Sequence, residues 1–434
     1  MRRVLIVSPH FPPTNAPDHQ RVRMSLPYFH EFGWEPVVLA VKAEDVSAVS
    51  DPWLATALPP NLVVHRVPAW PVRWSRLVGL GNVAYRAWTS LRRTGDQLLA
   101  GERFDLVYFS TTQFVATALG ARWLAKYHVP FVVDLQDPWR TNYYERPDAP
   151  RPPGGWKYRV ARWQATRLEE RSWHPAAGFV SVTEDYLAQL RERYPWFAAK
   201  PAAVIPFGGA EADFAFAAAR ADLPAGFERQ PGFVYLVGVG AVGAIMRDSI
   251  AQLCAGVRRL RELDPAMAAR LRLVFLGTSY APAHRAEPSV VPIAAKFDVA
   301  DLVREETGRI GYFAALKTLL AADALVIPGS NEFSYNPSKL ANCFLAEKPV
   351  LALAPRGSPF ERLAGEFRFT VPGHRPDVVS EIVAFLRTVL TAPASLLPDA
   401  ADRSAVASSH SARTRTRQQC TLFERALSPH APPP

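Results

Sequence analysis

Residues 233–243 read Phe-Val-Tyr-Leu-Val-Gly-Val-Gly-Ala-Val-Gly. The apolar run ends at Val237, glycines follow, and a stretch with helical periodicity begins near Asp248. A short apolar run of this kind is typical of a parallel strand that is buried on both faces. The segment therefore predicts one strand–loop–helix unit of an α/β domain.

The same pattern opens the chain and recurs along it. Val4–Val7 is an apolar run, a proline-rich loop follows, and a helical stretch begins near Asp18. Further strands are predicted at 36–41, 62–67, 106–110, 131–135, 273–277, 290–292, 324–328 and 350–354. This alternation predicts an α/β protein with two Rossmann-like, doubly wound parallel-sheet domains.

Composition suggests where the domains divide. All eleven tryptophans lie between Trp34 and Trp196. We predict an N-terminal domain at 1–205, a hinge at 206–232 rich in Pro, Gly and Ala, and a C-terminal domain at 233–390. A C-terminal segment at 391–434 is expected to hold one helix near Arg417–Leu427 and to be partly disordered.

Charge and cysteine content limit the classes of function. The 434 residues are 49% hydrophobic and 21% charged, which excludes a mainly disordered chain, a collagen and a coiled coil. The 3 cysteines lie far apart and no ligand spacing is evident, so neither a metal nor a cofactor is expected. The net charge of +10 favours phosphorylated substrates or anionic lipid, and no nucleic-acid module is recognised. With neither a signal peptide nor a membrane-spanning run recognised, we expect a cytoplasmic protein, with peripheral attachment to the inner face of a membrane left open.

The loop after the first strand is a candidate binding segment. Ligands of doubly wound sheets bind outside the carboxyl ends of the strands. His10, Asn15 and the helix start at Asp18 would line that crevice, with Arg21 one turn further. The alternative is an ordinary surface loop that is stiffened by prolines.

Glycines follow the strand with which we began. Gly238, Gly240 and Gly243 would let the backbone approach a phosphate, and Arg247 could add a positive charge. A tight turn without a ligand explains the same glycines.

A polar loop after the strand at 324–328 leads into another predicted helix. Asn336 is a good N-cap and Pro337 a good first helical residue. The amide groups at Ser338 and beyond would then point into the crevice, and the Lys339 cation would favour a bound diphosphate. Alternatively, Lys339 simply reaches solvent.

Two further segments leave alternatives open. Asp134 and Asp137 follow the strand at 131–135, where a carboxylate could accept a proton from a sugar hydroxyl, or Asp137 could cap a helix that starts at Pro138. Residues 52–95 contain arginines and aromatic residues and no Asp or Glu. Their part at 70–93 could lie on an anionic membrane, or it could form a helix packed on its own sheet.

Several of these segments together resemble the family 4 retaining glycosyltransferases, which have the GT-B fold of two Rossmann-like domains facing a cleft. The resemblance covers most of residues 1–390. It is carried by the opening Val-Leu-Ile-Val-Ser-Pro-His-Phe-Pro-Pro, by Asp-Leu-Gln-Asp-Pro-Trp at 134–139, by 204–214, and by Asn-Pro-Ser-Lys-Leu at 336–340 with Ala-Glu-Lys-Pro-Val at 346–350.

The resemblance implies transfer of a sugar from a nucleotide-diphosphate sugar to an acceptor hydroxyl, with retention and without a metal, in surface glycan or glycolipid biosynthesis. Asp137 and His10 would be catalytic, and Asn15, Asp18 and Arg21 would lie on the acceptor side. The implied donor-binding residues are Gly240, Arg247, Glu332, Ser334, Tyr335, Ser338, Lys339 and Asn342. The partners are then the nucleotide sugar and a glycan or lipid-linked acceptor.

Two departures from the family pattern support other functions. The family's pair of acidic residues falls at Ser334 and Asn342, and Asp137 stands where many relatives have a histidine. One alternative is therefore a non-catalytic nucleotide-binding or scaffold protein at a membrane. Another is a nucleotide-sugar epimerase or hydrolase of the same fold.

Overall fold

The chain folds into two α/β units. The computed structural model describes residues 1–72, 81–141, 144, 155–279, 281, 285–372 and 377–428. One unit comprises Met1–Gly208 together with a late helix that begins at Ala412, and the other comprises Gly209–Ser411. The predicted fold class of two doubly wound parallel-sheet domains is confirmed.

The N-terminal unit contains a seven-stranded parallel sheet with the order β3-β2-β1-β4-β5-β6-β7. The strands are Arg2–Val7 (β1), Trp34–Val41 (β2), Val63–Val67 (β3), Leu106–Ser110 (β4), Phe131–Leu135 (β5), Gly178–Ser181 (β6) and Ala202–Val204 (β7). Every residue of β4 and β5 is buried, because helices cover both faces of the sheet. The carboxyl ends of β1, β4 and β5 therefore lie side by side at one edge.

Helices pack on both faces of this sheet. They are Gln20–Ser25 (α1), Pro52–Thr56 (α2), Val83–Gly101 (α3), Ala118–Tyr127 (α4), Trp156–Trp173 (α5) and Glu184–Arg193 (α6). Asn82 caps α3 by accepting a hydrogen bond from the N–H of Ala84 at 2.8 Å. The apolar side of α3, with Ala87 and Leu91, joins the core beneath it, as in the alternative of a helix packed on its own sheet. Residues 73–80, part of the surface predicted at 70–93, lie outside the described residues.

The C-terminal unit contains a five-stranded parallel sheet with the order β10-β9-β8-β11-β12. The strands are Val234–Val239 (β8), Leu271–Leu276 (β9), Val303–Glu306 (β10), Ala324–Pro328 (β11) and Val350–Leu353 (β12). The helices of this unit are Glu211–Ala219 (α7), Arg247–Leu263 (α8), Pro265–Ala269 (α9), Val291–Lys296 (α10), Tyr312–Ala321 (α11), Leu340–Leu345 (α12), Pro359–Glu366 (α13), Val378–Thr391 (α14) and Ala400–His410 (α15). The loops that follow β8, β9, β10 and β11 meet at the carboxyl edge of the sheet.

The structure changes the predicted limits of the two domains. Residues 206–232, predicted as a hinge, contain α7, which packs on α11: Phe216 and Phe313 lie 4.7 Å apart between ring centroids. The predicted C-terminal segment 391–434 is divided as well, because α15 belongs to the C-terminal unit and Ala412–Leu427 (α16) to the N-terminal one. Residues 429–434 lie outside the described residues.

The late helix α16 completes the core of the N-terminal unit. The ring of Phe423 lies 4.9 Å from that of Tyr108, 5.3 Å from that of Trp34 and 6.3 Å from that of Phe29, between centroids. These rings are fully buried, and aromatic contacts of this kind contribute about 0.5–1.5 kcal/mol each beyond simple burial. The helix is therefore an ordered part of the fold, and it confirms the helix predicted near Arg417–Leu427, which begins earlier, at Ala412.

One predicted strand is wrong, and three strands were not predicted. Residues 290–292 lie at the start of α10 rather than in a strand, because Pro292 fits the first turn of a helix. The strands β6, β7 and β10 are short or carry charged residues, which hides them from an apolar pattern. Within the described residues, we find no helix that combines the length and the hydropathy needed to cross a bilayer.

Candidate functional site

The loop after β1 is tied to the loop after β4 through Asp18. Nδ1 of His10 lies 2.9 and 3.1 Å from the two carboxylate oxygens of Asp18. One of these oxygens also accepts hydrogen bonds from Thr111 Oγ1 at 3.1 Å and from the N–H and Oγ1 of Thr112 at 3.2 Å. Asp18 is buried, as is Asn15, whereas the His10 side chain keeps 17% of its surface exposed. The structure thus brings together His10 and Asp18, and Asn15 is buried in the same loop.

The electrostatics of this loop follow from these contacts. Burial alone would raise the pKa of Asp18, but the charge of His10 and its hydrogen bond lower that pKa to about 2. The carboxylate is therefore ionised at neutral pH. Because an ionised carboxylate only accepts hydrogen bonds, Nδ1 of His10 carries the proton in this contact. A neutral His10 then presents Nε2 as a hydrogen-bond acceptor and proton acceptor.

Arg21, predicted on the acceptor side, forms a buried ion pair. Its Nε lies 2.9 Å from Oδ2 of Asp134, and both side chains are almost fully buried. Its Nη2 donates a hydrogen bond to the carbonyl oxygen of Ile205 at 2.7 Å, and the guanidinium lies 4.9 Å from the ring centroid of Phe207. Arg21 and Asp134 therefore hold the strand ends together from inside the unit.

Gln136 joins the two clusters. Its Nε2 donates to the carbonyl oxygen of Asp18 at 2.9 Å, to Oδ2 of Asp134 at 2.8 Å and to Oγ of Ser110 at 3.0 Å. The hydroxyl of Ser110 itself donates to Oδ2 of Asp134 at 2.7 Å. The carboxyl ends of β1, β4 and β5 are thus linked by one buried polar network.

Asp137 follows β5 at the same edge of the sheet and is exposed. No helix starts at Pro138 in the described part of this segment, so the alternative role of Asp137 as a helix cap is wrong. Asp137 lies at the rim of a shallow pocket that also contains Trp139, Glu169 and Arg193. Asp137 follows β5 and His10 follows β1, and β4 lies between these two strands in the sheet.

The pocket beside Asp137 contains a carboxylate that the sequence did not single out. Glu169 is buried in α5 and accepts hydrogen bonds from Arg193 at 2.5 Å and from the hydroxyl of Tyr194 at 3.0 Å. Burial raises the pKa of Glu169 despite the nearby charge of Arg193. To predict this site from the sequence, one would have to know that α5 and the end of α6 are neighbours in the fold.

In the C-terminal unit, glycines and one lysine share a notch at the carboxyl edge. Gly240 has φ of +103°, and a Cβ atom at this position would lie 3.4 Å from Nζ of Lys339. Gly277 has φ of +72°, and a Cβ atom there would lie 3.9 Å from the Gly240 nitrogen and 3.8 Å from Cα of Arg309. The loops after β8, β9 and β10 thus converge on a surface of bare backbone beside an ammonium group. We call this surface the glycine notch.

Lys339 is half-buried at the edge of the glycine notch. Its Nζ donates a hydrogen bond to the carbonyl oxygen of Val239, the last residue of β8, at 2.8 Å. Burial lowers the pKa of Lys339, and the Cys343 thiol opposes that shift. The alternative in which Lys339 simply reaches solvent is wrong, because the ammonium group is bonded to the backbone.

The helix after this loop starts later than predicted. The segment around Asn336 and Pro337 is irregular, and α12 begins at Leu340 without a side-chain cap. The bond from Lys339 to Val239 holds Lys339 at the junction between loop and helix, and α12 begins three residues after Pro337, the predicted first helical residue. Because α12 has six residues, the ammonium group of Lys339 rather than a helix dipole is the main positive charge here.

Arg247 is exposed at the first turn of α8. Its neighbours connect that turn to the loop after β11. Asn331 Nδ2 donates to Oδ2 of Asp248 at 2.9 Å, and the hydroxyl of Ser249 donates to the carbonyl oxygen of Gly329 at 2.6 Å. The start of α8, which follows the glycines after β8, and the loop after β11 therefore lie at the same edge of the sheet.

The other predicted donor-side residues lie along the segment that follows. Glu332 donates its N–H to Oγ of Ser330 at 2.9 Å, and Tyr335 packs partly against the core. Ser334 and Asn342 are half-buried, and Ser338 is exposed. The structure leaves the donor role of each of these residues as a prediction.

A half-buried carboxylate on β10 shapes the wall next to the glycine notch. Glu305 accepts hydrogen bonds from Thr278 Oγ1 at 2.7 Å and from the N–H groups of Ser289, Val290 and Val291 at 2.8–2.9 Å. Burial alone would raise the pKa of Glu305, but these bonds lower it. Among the described residues, no group of three or more His, Cys, Asp and Glu side chains is arranged to hold a metal ion.

The N-terminal unit matches a known family. The sequence profile described as a glycosyl transferase 4-like domain matches residues 19–208. This range includes Thr111 and Gln136 of the buried network and Asp137. Residues 19–208 are similar to glycosyl transferase 4-like domains. The predicted resemblance to family 4 glycosyltransferases is confirmed by this match. No curated protein matches the chain in sequence.

Solved structures match both the glycosyl transferase 4-like domain and the rest of the chain. An α,α-trehalose-phosphate synthase (UDP-forming) from Burkholderia vietnamiensis has 11% identity and a TM-score of 0.62, with 100% of each chain covered. Anabaena HepE in complex with UDP and glucose has 13% identity and a TM-score of 0.57, with 98% of this chain and 100% of that chain covered. A glycosyltransferase from Rickettsia africae has 11% identity and a TM-score of 0.57, with 98% of each chain covered. These similarities identify the fold as GT-B.

Proposed function

We propose that this chain is a glycosyltransferase that moves a sugar from a nucleotide-diphosphate sugar to an acceptor hydroxyl. The match to a glycosyl transferase 4-like domain supports the reaction class. Anabaena HepE is described in complex with UDP-glucose, and a structurally similar synthase is described as UDP-forming, which supports a nucleotide-sugar donor. The proposal includes retention of anomeric configuration without a metal ion, and a glycan or lipid-linked acceptor of surface glycan or glycolipid biosynthesis.

The observation that carries the proposal is the glycine notch with Lys339 at its edge. Bare backbone at Gly240 and Gly277 lets a phosphate approach closely, and the ammonium group of Lys339 supplies positive charge. Arg247 adds a second cation from the first turn of α8. In this proposal the notch binds the donor diphosphate and stabilises the negative charge that develops on it as the sugar leaves.

The proposal places the acceptor at the buried network of the N-terminal unit. Asp18 fixes His10 with Nδ1 protonated, so that Nε2 is available to a hydroxyl group. Asp137 offers a carboxylate at the same edge. We assign to these two side chains the orientation of the acceptor hydroxyl and the acceptance of its proton.

The proposed step is a direct displacement at the anomeric carbon. The acceptor oxygen forms a bond to that carbon while the bond to the diphosphate oxygen breaks. The electron pair of the broken bond goes to the diphosphate, and the hydroxyl proton passes to His10 or Asp137. Attack from the face that the diphosphate leaves retains the configuration without a protein nucleophile.

A thermal-shift panel of UDP-, GDP-, ADP- and TDP-sugars tests the donor. A ligand at 100 times its dissociation constant stabilises the protein by about 2.7 kcal/mol, which is readily measured. The donor that stabilises the chain is then incubated with acceptor alcohols, and NMR identifies the anomeric configuration of the product. A product of inverted configuration would overturn retention, and binding without turnover would favour the non-catalytic alternative. Release of free sugar without an acceptor would favour a hydrolase.

A further inference from the structure

The loop after β5 carries Asp137 and is anchored in the interior just beyond it. Residues 137–140 read Asp-Pro-Trp-Arg. The ring of Trp139 lies 5.7 Å from that of Phe114 and 5.3 Å from that of Trp173, between centroids. The intervening proline has a fixed φ and restricts the residue before it, so little backbone freedom separates Asp137 from the anchored ring. The direction of the exposed Asp137 carboxylate therefore depends on what holds the end of this loop.

Arg140, at the end of the loop, is held by polar groups of α5 and of the end of α6. Its carbonyl oxygen accepts a hydrogen bond from Nη2 of Arg193 at 3.5 Å, and its own Nη1 donates to the hydroxyl of Tyr194 at 3.3 Å. The same Nη1 lies 4.0 Å from Oε1 of Glu169. The side chains of Arg140 and Arg193 are only 22% and 15% exposed. The loop is thus bound through both backbone and side chain at the residue next to its anchored tryptophan.

Glu169 lies at the centre of these contacts. Its Oε1 accepts hydrogen bonds from Nη1 of Arg193 at 2.5 Å and from the hydroxyl of Tyr194 at 3.0 Å. The guanidinium of Arg193 therefore bridges the carboxylate of α5 and the backbone of the loop after β5. Trp173 lies four residues beyond Glu169, on the same side of α5. One side of α5 thus supplies both the ring that packs on Trp139 and the carboxylate that orients Arg193.

The charges in this region explain why a carboxylate is needed at the centre. Asp137 and Glu169 line one shallow pocket together with Arg140 and Arg193. Because Arg193 donates to Glu169, its guanidinium is turned towards α5 and the loop backbone. Without the charge of Glu169, both guanidinium groups would attract Asp137, the other carboxylate that lines the pocket. The Asp137 carboxylate would then be drawn away from an incoming hydroxyl group.

We propose that Glu169 is a positioning residue, which acts through Arg193 and Arg140 to hold Asp137 ready for the acceptor. The proposal rests on the proposed sugar transfer, in which Asp137 orients the acceptor hydroxyl and accepts its proton. Glu169 itself does not contact the acceptor in this arrangement. A misplacement of about 1 Å near a reacting group can lower a rate about 10²-fold, so the effect of Glu169 should appear in kcat. Donor binding, assigned to the glycine notch, should not depend on it.

Substitutions of matched shape test the proposal in the full chain. Glu169→Gln keeps an accepting oxygen and removes the charge, and should lower kcat for transfer about 30-fold while KM for the donor changes less than about twofold. Arg193→Lys keeps the charge but has one nitrogen in place of two, so it cannot bridge Glu169 and the carbonyl oxygen of Arg140. It should lower kcat about tenfold. Glu170→Gln and Arg191→Lys change exposed neighbours on the same helices and should leave kcat within about twofold.

A double-mutant cycle distinguishes positioning from a general effect on the fold. If Glu169 acts through Asp137, Glu169→Gln should lower kcat by less than about twofold when Asp137→Asn is already present. A general effect on the fold would lower kcat by the same factor in both backgrounds, and that result would overturn the proposal. Thermal melts establish that each variant is folded at the assay temperature. Arg193→Lys leaves every buried charge in place and keeps the test decisive if Glu169→Gln does not fold.

Failure of this proposal can be told apart from failure of the proposed function. If the wild type transfers sugar and Asp137→Asn impairs transfer while Glu169→Gln does not, only the positioning role is overturned. Absence of transfer by the wild type would overturn the proposed function instead. Hydrogen exchange of a peptide that spans 137–140 then still tests the link, because Glu169→Gln and Arg193→Lys should speed exchange there about tenfold and Glu170→Gln should not. Equal exchange in the wild type and the first two variants would show that Glu169 does not hold this loop.

Discussion

Replacement of Lys339 by methionine separates a ligand-binding role from a structural one. In the free protein, Nζ makes a hydrogen bond to the carbonyl oxygen of Val239, and burial lowers the pKa of the ammonium group. One such bond contributes about 1 kcal/mol net, and burial of the cation opposes that gain. Methionine keeps the unbranched stem. We therefore expect the free energy of unfolding to change by less than about 1 kcal/mol.

Donor binding should respond far more strongly. A charge-assisted hydrogen bond to a phosphate oxygen contributes about 1.5–3 kcal/mol, which corresponds to about a 10- to 150-fold weaker dissociation constant when it is lost. Isothermal titration with the stabilising nucleotide sugar measures this change. Lys296→Met, at an exposed lysine that ends α10, is the control and should bind as the wild type does. Unchanged affinity in Lys339→Met together with a large loss of stability would refute the diphosphate role.

The lowered pKa of Lys339 gives a second readout of the same variant. The unfolded chain binds this proton up to a pH near 10.5, whereas the folded chain releases it earlier. Stability attributable to Lys339 therefore rises as the pH approaches 10.5. A bound diphosphate favours the charged form, so binding at a pH between the lowered pKa of Lys339 and 10.5 should take up protons, which titration in buffers of different ionisation enthalpy detects. Lys339→Met should show neither effect.

Three further changes test other parts of the molecule. Gly240→Ala should destabilise the fold by about 1–3 kcal/mol in urea unfolding, because the φ of Gly240 is +103°. It should also abolish donor binding, because the added Cβ atom would contact the ammonium group of Lys339. Gly243→Ala is the control and should change neither stability nor binding. Asp18→Asn should lower kcat about 10²-fold and shift the pH profile of kcat, with little change in KM. The reason is that the substitution no longer holds the proton of His10 on Nδ1. An unchanged pH profile of kcat would assign Asp18 to folding alone. His19 is buried, and burial is the main cause that lowers its pKa from 6.5 to about 4. Its contribution of about 3 kcal/mol to the free energy of unfolding is therefore present above pH 6.5 and lost as the pH falls towards 4. His19→Gln should flatten that part of the plot of stability against pH, and an identical plot would contradict the lowered pKa.

Much of the fold could be predicted from apolar runs. The strands at 106–110, 131–135 and 324–328 have the predicted bounds, because every residue in them is buried and turn residues flank them. The strand β10 was missed since Glu305 and Glu306 resemble a solvated surface. In the fold, the carboxylate of Glu305 accepts backbone N–H groups from the start of α10. A charged residue that caps a distant helix carries no local pattern.

The candidate site was predictable only where it depends on local chemistry. Gly240 follows a strand directly, so its approach to a ligand could be anticipated from the order of the residues. Its contact with Lys339 joins positions about a hundred residues apart and was not predicted; the resemblance only assigned both residues to the donor side. The bonds from Thr112 to Asp18 and from Gln136 to Asp134 depend on the order of strands in the sheet. No spacing in the sequence encodes that order.

The two candidate half-sites are built in different ways, and this determines how each should fail. At the N-terminal unit, His10 is held by ionised Asp18, which Gln136 connects to the buried pair of Arg21 and Asp134. Removal of one partner from such a network leaves a buried charge without compensation, which typically costs 3–5 kcal/mol. Substitutions there should therefore impair folding along with chemistry. The glycine notch consists of backbone and one half-buried lysine, so side-chain changes at that lysine should remove binding while the fold persists. Stability measured beside affinity thus distinguishes the half-sites even before the acceptor is known.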